Sequence, residues 1–360
     1  MTKIFLIRHA EAEGNIFRRA HGHFNGQITN KGHRQIEKLR ERFLHEDIDA
    51  AYSSDLSRTR VTANAICEPR GLILRTTERL REVNVGAWED MPWGNIRQNE
   101  PVFSELFNDD PARWKTDGSE DYENVKNRMT SCIEEIARNH EGGVVSIFSH
   151  GFAIRTFLCV IMGIPSNETM KVPYGDNTAV ALLRYEGGTF AIEYSGDNSH
   201  LGSENSTLAN QTWWRVVQQR RSEDMRYVPY DEKRDAGLLK EGMLEPYPHD
   251  ARAESNADRA YAVFLEDEPA GFLGYNTERD SEGKIGWIEN LYLKPEFSDN
   301  DFAIQLIGQA VSDYRKLRRE KLRIETQADS PVANLCLKHG FEKAENRDAH
   351  CVLEKYIRNW

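Results

Sequence analysis

No stretch of the 360 residues approaches the roughly 18 consecutive apolar positions of a membrane-spanning helix. The first apolar run, Ile4–Ile7, ends at Arg8, too early for the core of an export signal. A cytoplasmic protein without a membrane partner is expected. Cysteine is sparse. Cys67, Cys132, Cys159, Cys336 and Cys351 are odd in number and form no C-x-x-C pair, so neither a disulfide framework nor a structural zinc site is indicated. Basic residues are in deficit: 47 Lys and Arg stand against 58 Asp and Glu, a net charge of −11. The acidic excess is spread along the chain with no basic tail or face, which disfavours nucleic acid as a partner. Internal repeats and low-complexity tracts are missing too, which excludes a solenoid. Oligomeric state leaves no mark in the sequence.

What is present is enough apolar sequence, 39% of residues, to bury real cores, in a chain long enough for two or three domains. Strand and helix patterns alternate over the first two hundred residues: strand Lys3–Ile7, helix Thr29–Glu46, strand Asp49–Ser53, helix Ser57–Cys67 and strand Leu72–Arg75. A polar stretch rich in Asn, Asp and Trp covers Trp88–Asp117. Helix Asp121–Asn139, strand Val144–Phe148, helix Phe152–Met162 and strands Ala179–Arg184 and Phe190–Tyr194 follow. Such alternation implies a largely parallel sheet covered on both faces. Gly, Ser, Asn and Asp then dominate Gly196–Asn210, marking a boundary. The expected division is a first domain at 1–203, a linker at 204–219 and a second domain at 220–360. Trp213 and Trp214 begin the new region. It reads as polar and helical over Met225–Ala251. Strands are expected at Ala260–Leu265, Gly271–Thr277 and Ile285–Leu293, helix at Asp301–Arg318, strand at Lys321–Thr326, helix at Pro331–His339 and strand at Cys351–Lys355.

Four separated segments of the first domain carry chemistry. Leu6–Asn15 places Arg8, His9 and Asn15 at the end of the first strand, and ligands of open α/β sheets bind at that edge. Ser54–Ala63 supplies Arg58, Leu80–Glu89 supplies Glu82, and Phe148–Gly151 supplies His150 just past another apolar strand. Arginine forks match phosphate oxygens. An imidazole held through one nitrogen is a nucleophile through the other. A carboxylic acid protonates a leaving oxygen. Taken singly, Arg58 reads as a helix-face charge and Glu82 as a solvated loop residue; their joint occurrence is what points to phosphoryl chemistry. No Asp/His cluster has metal-ligand spacing, so no metal is expected.

These segments resemble the histidine phosphatase (phosphoglycerate mutase-like) superfamily over residues 1–203. L-[IV]-R-H-G-E-x-x-x-N is met at Leu6–Asn15, with Ala10 in place of glycine, and Ile28–Gln35 meets L-T-x-x-G-x-x-Q. S-D-L-x-R-x-x-x-T-A is complete at Ser54–Ala63, L-R-E-x-x-x-G-x-W-E at Leu80–Glu89 and S-H-G at Ser149–Gly151, while Asn198–Leu201 looks like the last motif. The resemblance implies a three-layer α/β/α fold with a mostly parallel sheet and no cofactor. His9 would become phosphohistidine, Glu82 would act as proton donor and then base, and Arg8, Asn15, Arg58 and His150 would bind phosphate. A small phosphorylated metabolite is the implied substrate. The interval between Glu89 and Gly118 is short beside a mutase's insertion, which favours a phosphatase. A phosphoglycerate-type mutase, a protein-phosphohistidine phosphatase and a non-catalytic phosphate sensor or scaffold stand as alternatives. Trp88, Trp93 and Trp114 are expected to pack, with stacking on an organic substrate the rival role.

Residues 220–360 resemble the GNAT acyltransferase superfamily, an α+β fold. Gly271–Tyr275, Ile288–Phe297 and Ser330–Phe341 carry the likeness. It implies acetyl-CoA as cofactor and partner, bound along Leu291, Leu293, Asn300, Phe302 and Ala303, with Glu289 and Cys336 as acyl-transfer candidates. Departures oppose this. Ser298 stands for the loop arginine, Asp301 for a glycine, and Cys336 for the frequent tyrosine acid. Asp299 and Asp301 would face a diphosphate, a like-charge cost on the order of 1 kcal/mol each. An N-acetyltransferase and a degenerate binding module are the two roles left open, together with whether both domains share a substrate.

Overall fold

A computed structural model describes residues 1–211, 224–244, 257–300, 302–347 and 349–358. The chain divides into two compact units: Met1–Ala12, Ala20–Met91 and Glu100–Val216 form the first, and Glu13–Arg19, Pro92–Asn99 and Val217–Trp360 the second. Of the expected linker, residues 212–219 lie outside the described residues, as do Trp213, Trp214 and the 245–251 end of the expected polar helical region.

The first unit is built on strands β1 (Thr2–Arg8), β2 (Ala50–Ser53), β3 (Leu74–Thr76), β4 (Val144–Ser149), β5 (Val180–Glu186) and β6 (Thr189–Asp197). They lie in the order β3-β2-β4-β1-β5-β6, the first four parallel and β5 and β6 antiparallel. Ile4, Phe5, Leu6 and Ile7 are all buried, the continuous apolar run of a strand covered on both faces. Helices Ser57–Arg70 and Gly151–Met162 end on Gly71 and Gly163, whose φ of 62° and 67° suits glycine. Register places the site. Arg8 pairs Ser149, and Ser53 pairs Phe148, so β1, β2 and β4 finish at one edge and release His9, Ser54 and His150 there.

Two expectations shift. The helix predicted to reach Glu46 spans Asn30–Arg42 and closes at Phe43. Within the stretch read as polar, Trp93–Asn99 and Pro101–Asp109 are helical. The second of these starts on a proline at its first turn, and it exposes Val102 and Phe103 while burying Ser104, which scrambles the apolar period.

The second unit has strands β7 (Met225–Pro229), β8 (Arg259–Leu265), β9 (Glu268–Asn276), β10 (Ile285–Leu293), β11 (Lys321–Gln327), β12 (Glu342–Arg347) and β13 (His350–Tyr356). Their order is β12-β13-β11-β10-β9-β8-β7. Only β10 and β11 are parallel, and their pairing runs from Ile285↔Lys321 to Ile288↔Ile324 although both strands continue. β7 and β12 were not foreseen; β7 is a short edge strand ending in proline with alternating burial at Met225 and Tyr227.

Helix Ala303–Lys316 buries Leu306, Ile307, Ala310, Val311 and Tyr314 in this core. The segment Glu13–Arg19 belongs to the same unit through one face of that helix. Phe17 is 4% exposed and lies so close to Gly308 that a Cβ there would fall 2.4 Å from its ring. Arg19 donates to Gln309 Oε1 at 2.8 Å and to Ser312 Oγ at 2.9 Å. Arg315 donates to both Glu13 oxygens, at 2.8 and 3.1 Å. Positions 308, 312 and 315 are one turn apart, so they form a single stripe. Asn95 completes the β7 edge by donating to Tyr227 O and accepting from Tyr227 N, at 2.8 and 2.9 Å. Phe17→Ala should therefore destabilise the protein by about 3–5 kcal/mol in urea unfolding. A loss below about 1 kcal/mol would remove Phe17 from the core.

Candidate active site

Four sequence segments converge at the edge where β1, β2 and β4 end. His9 and His150 are 6% and 0% exposed, with ring centroids 5.3 Å apart and planes at 57°. Arg58, in the first turn of its helix, is 2% exposed. Its Nε donates to His150 Nδ1 at 3.1 Å, and its remaining nitrogens donate to Phe24 O at 2.9 Å and Gly22 O at 2.7 Å. Arg8 donates to Gly175 O at 2.7 Å, while its buried Nε has no partner. Glycine at 151 makes room for that guanidinium: a Cβ would sit 3.3 Å from Arg8 Nε.

The hydrogen bonds assign the tautomers. A guanidinium only donates, so His150 Nδ1 is an acceptor and the proton of the neutral ring is on Nε2, which is buried without a partner. His9 Nδ1 lies 2.7 Å from Ala10 O, an acceptor, so that nitrogen holds the proton and Nε2 keeps its lone pair. Burial, then Arg58 and Arg8, hold His9 well below the ordinary imidazole value, and burial with Arg58 does the same for His150. Both rings are neutral near pH 7. Burial lowers Arg58 only to about 10, with Glu82 and Glu89 opposing, so it stays charged. Two guanidinium groups, one free imidazole N–H and one free imidazole lone pair thus meet in one buried place, an arrangement suited to an oxyanion.

Glu82 leaves the 3-10 turn Glu78–Leu80 and its carboxylate accepts from Phe152 N and Ala153 N at 3.0 and 2.9 Å, in the first turn of helix Gly151–Met162. Arg128 anchors the approach by donating to the carbonyls of Arg79, Arg81 and Glu82. Glu89 accepts from the backbone of Gly22, His23 and Phe24, the loop whose carbonyls Arg58 holds. Ala10, the departure from glycine, is fully buried and is not among the positive-φ residues, so its methyl imposes no backbone strain. Trp88 and Trp114 pack against each other and Phe107. Among the described residues no group of three His, Cys, Asp or Glu is placed to hold a metal ion, and no helix is long and apolar enough to cross a membrane.

Residues 4–198, more than half of the chain, match the family model of the histidine phosphatase superfamily, branch 1. The chain belongs to that superfamily. A second match, to the acetyltransferase (GNAT) family, spans residues 223–341. Over 203 residues the chain is 28% identical to phosphoserine phosphatase 1 of Hydrogenobacter thermophilus, covering 56% of this chain and 95% of that protein. It is 27% identical over 206 residues to the probable phosphoglycerate mutase GpmB of Yersinia pestis, with the same coverage. Among solved structures, YhfR of Bacillus stearothermophilus superposes with a TM-score of 0.54 at 30% identity, over 56% of this chain and 99% of that one. These relatives support phosphatase- or mutase-type chemistry in the first unit of this histidine phosphatase.

Of the residues expected in the site, Arg8, His9, Arg58, Glu82 and His150 gather in the first unit. Asn15 lies in the four-residue helix Glu13–Ile16 of the second unit. The acyl-CoA candidates are scattered in their surroundings. Leu291 packs partly buried against the core and Leu293 is fully inside it. Asn300 ends the 3-10 turn Pro295–Asn300, and the side chains of 298–300, like all of Asp301, lie outside the described residues. Phe302 is the uncapped N-cap and Ala303 the first residue of helix Ala303–Lys316. Glu289 is not a free base: Arg279 donates to it at 2.9 Å while its guanidinium lies 3.5 Å from the Trp287 ring. Cys336 is 0% exposed, and burial pushes its thiol far up. Arg128, Gly175, Asp176 and Asn177 escaped notice in the sequence; the one signal was the polar triplet Asp176–Thr178 directly before an apolar strand.

His200 shares the behaviour of the two site histidines. Burial and Arg42 lower it to about 4. Each of the three therefore binds a proton less readily folded than unfolded, so the unfolded chain protonates first as pH drops below about 6.5. Their stabilisation is complete above that pH and is lost on acidification. Urea titrations should show unfolding free energy falling between about pH 6.5 and 4, by at most about 1.4 kcal/mol per pH unit for each group. His200→Gln should remove one group's share of that slope; an unchanged slope would contradict the lowered value.

Proposed function

We propose that the first unit is a phosphomonoesterase acting on a small phosphorylated metabolite through a phosphohistidine at His9. The observation that carries this is the opposed tautomers: an imidazole lone pair on His9 and a buried imidazole N–H on His150, beside two guanidinium groups. His9 Nε2 attacks phosphorus, the N–P bond forms and the ester P–O bond breaks. Arg8, Arg58 and the His150 Nε2–H bind the phosphoryl oxygens as charge builds. Glu82, as the general acid, gives a proton to the departing alkoxide. The carboxylate then takes a proton from water, which attacks phosphorus, breaks the N–P bond and releases inorganic phosphate with His9 restored. The backbone N–H groups of Val83 and Ala153 both donate to Oε1 and that of Phe152 to Oε2, which orients the carboxylate and leaves Oε2 a lone pair for this exchange.

Hydrolysis is favoured over mutase chemistry by the short interval from Glu89 to Gly118. The test is p-nitrophenyl phosphate hydrolysis in EDTA. His9→Ala should lower kcat at least about 1,000-fold, and Arg58→Ala about 100-fold. Wild-type phosphoenzyme should be acid-labile and alkali-stable. Undiminished turnover in His9→Ala would end the mechanism, and phosphate exchange between substrate positions without release would make the protein a mutase. Phosphoserine and phosphoglycerate, after the names of the two relatives, head the substrate panel.

For the second unit we infer a binding module. The fit to acetyl transfer is poor: Glu289 is engaged by Arg279, Cys336 is sealed in the core, Ser298 stands for the loop arginine and Asp301 for a glycine. Titration with acetyl-CoA should give binding far weaker than micromolar. Micromolar affinity would restore an N-acetyltransferase role.

A further inference from the structure

The lone pair on His9 Nε2 depends on a bond that the ring makes to its own neighbour. His9 Nδ1 donates to Ala10 O, so the tautomer holds only while the Ala10–Glu11 peptide presents its carbonyl to the ring. That peptide is gripped at its other end by Gln35, whose Oε1 accepts from Glu11 N at 2.7 Å. The amide of Gln35 cannot turn over, because its Nε2 donates to Asn205 O at 2.7 Å and Thr207 Oγ1 at 3.0 Å. The preceding peptide, His9–Ala10, is held on both sides as well. Its N–H donates to Thr62 Oγ1 at 2.9 Å, and its carbonyl accepts from Asn177 Nδ2 at 3.0 Å and Thr178 N at 3.3 Å. Thr62 in turn donates to Arg58 O at 2.6 Å. Ala10, Gln35, Thr62 and Asn177 are all 0% exposed, so no water stands in for a lost partner.

The Asn177 end is itself braced under strain. Thr178, a β-branched residue at 0% exposure, has a φ of 59°, a conformation its side chain disfavours. His200 accepts from Arg42 at Nδ1, 3.2 Å, which leaves Nε2–H to donate to Thr178 Oγ1 at 3.0 Å. Asp176 accepts from Asn177 N, Asn198 Nδ2 and Ser206 Oγ. Thus, of the two sequence motifs without a chemical role, Ile28–Gln35 reaches the backbone beside His9 through Gln35, and Asn198–Leu201 braces the Asp176–Thr178 loop that holds His9 O.

We propose that Gln35, Thr62 and Asn177 are positioning residues for His9, which lock the two peptide planes flanking Ala10 and so keep the imidazole proton on Nδ1. The proposal deepens the phosphohistidine reading and rests on it. Were the Ala10 carbonyl to turn away, the proton would be free to reside on Nε2, and the attacking nitrogen would lose its lone pair. No bond to the substrate is involved, so the loss falls on the chemical step rather than on binding.

The experiment compares wild type, Gln35→Met, Thr62→Val and Thr62→Ser. Active sites are counted by phosphoenzyme burst with p-nitrophenyl phosphate, and the His9 ring is observed by ¹⁵N NMR. Wild-type His9 should show a protonated Nδ1 and a bare Nε2. Gln35→Met and Thr62→Val should lower kcat per active site about 10- to 100-fold with KM within about 3-fold, and shift the ring resonances toward a tautomer mixture. Thr62→Ser, which keeps the hydroxyl, should return both to wild type. A wild-type ring protonated on Nε2 overturns the proposal even if every variant fails to fold. So does a kcat per active site that stays unchanged in the folded variants. Failure of the underlying reading looks different: His9→Ala then remains active while the ring signals still report the tautomer.

Discussion

A single buried cation, the Arg58 guanidinium, sets the terms for the first unit. Removing a full charge from water costs several kcal/mol unless hydrogen bonds replace the lost solvent. Arg58 finds those bonds in the carbonyls of Gly22 and Phe24 and in His150 Nδ1. Each bond that compensates the charge also orders something. The carbonyls fix the loop at 22–24, which Glu89 grips from its N–H side, and the bond to His150 decides which imidazole nitrogen carries a proton. Desolvation is thereby converted into geometry. The same field keeps His9 neutral, because a second cation beside Arg58 and Arg8 would be unfavourable in that interior.

How far this was legible from the sequence follows from how the residues are distributed. Arg8, His9, Arg58, Glu82 and His150 each sit inside a short contiguous pattern, and each pattern follows a recognisable strand or turn. The parallel edge then gathers them. β10, read as Ile285–Leu293, has those bounds in the structure. The residues that escaped are those whose role exists only through a distant partner. Arg128 is one helix-face charge among many until it meets the carbonyls of Arg79, Arg81 and Glu82. Asn177 is a loop amide until it meets His9 O.

The grouping of Glu13–Arg19 with the second unit was equally invisible. Phe17, Arg18 and Arg19 follow the signature Leu6–Asn15 without any compositional break, and nothing local distinguishes a phenylalanine destined for one core from one destined for another. Its identity is written in the receiving surface: Gly308, bare enough to admit the ring, and Gln309, Ser312 and Arg315 beside it on the same helix. Those four positions carry a stripe that is polar and small beside the apolar face of Leu306, Ile307, Ala310, Val311 and Tyr314. As a sequence pattern it reads as the solvent face; only the presence of Glu13, Phe17 and Arg19 makes it a contact.

Charge balance explains why the site tolerates such density of donors. In the absence of an anion, Arg8 Nε and His150 Nε2 are buried without acceptors, a cost the fold must offset elsewhere. A phosphoryl group bound as proposed would reverse the field on the imidazoles, since a nearby dianion favours their protonated forms where two guanidinium groups disfavour them. On the proposed mechanism both rings are neutral before it binds, as the reaction needs them, His9 to attack and His150 to donate. A lysine at position 58 would supply the charge but not the fork, and could not reach Gly22 O, Phe24 O and His150 in one fixed plane. Geometry, more than charge alone, is what the buried guanidinium contributes.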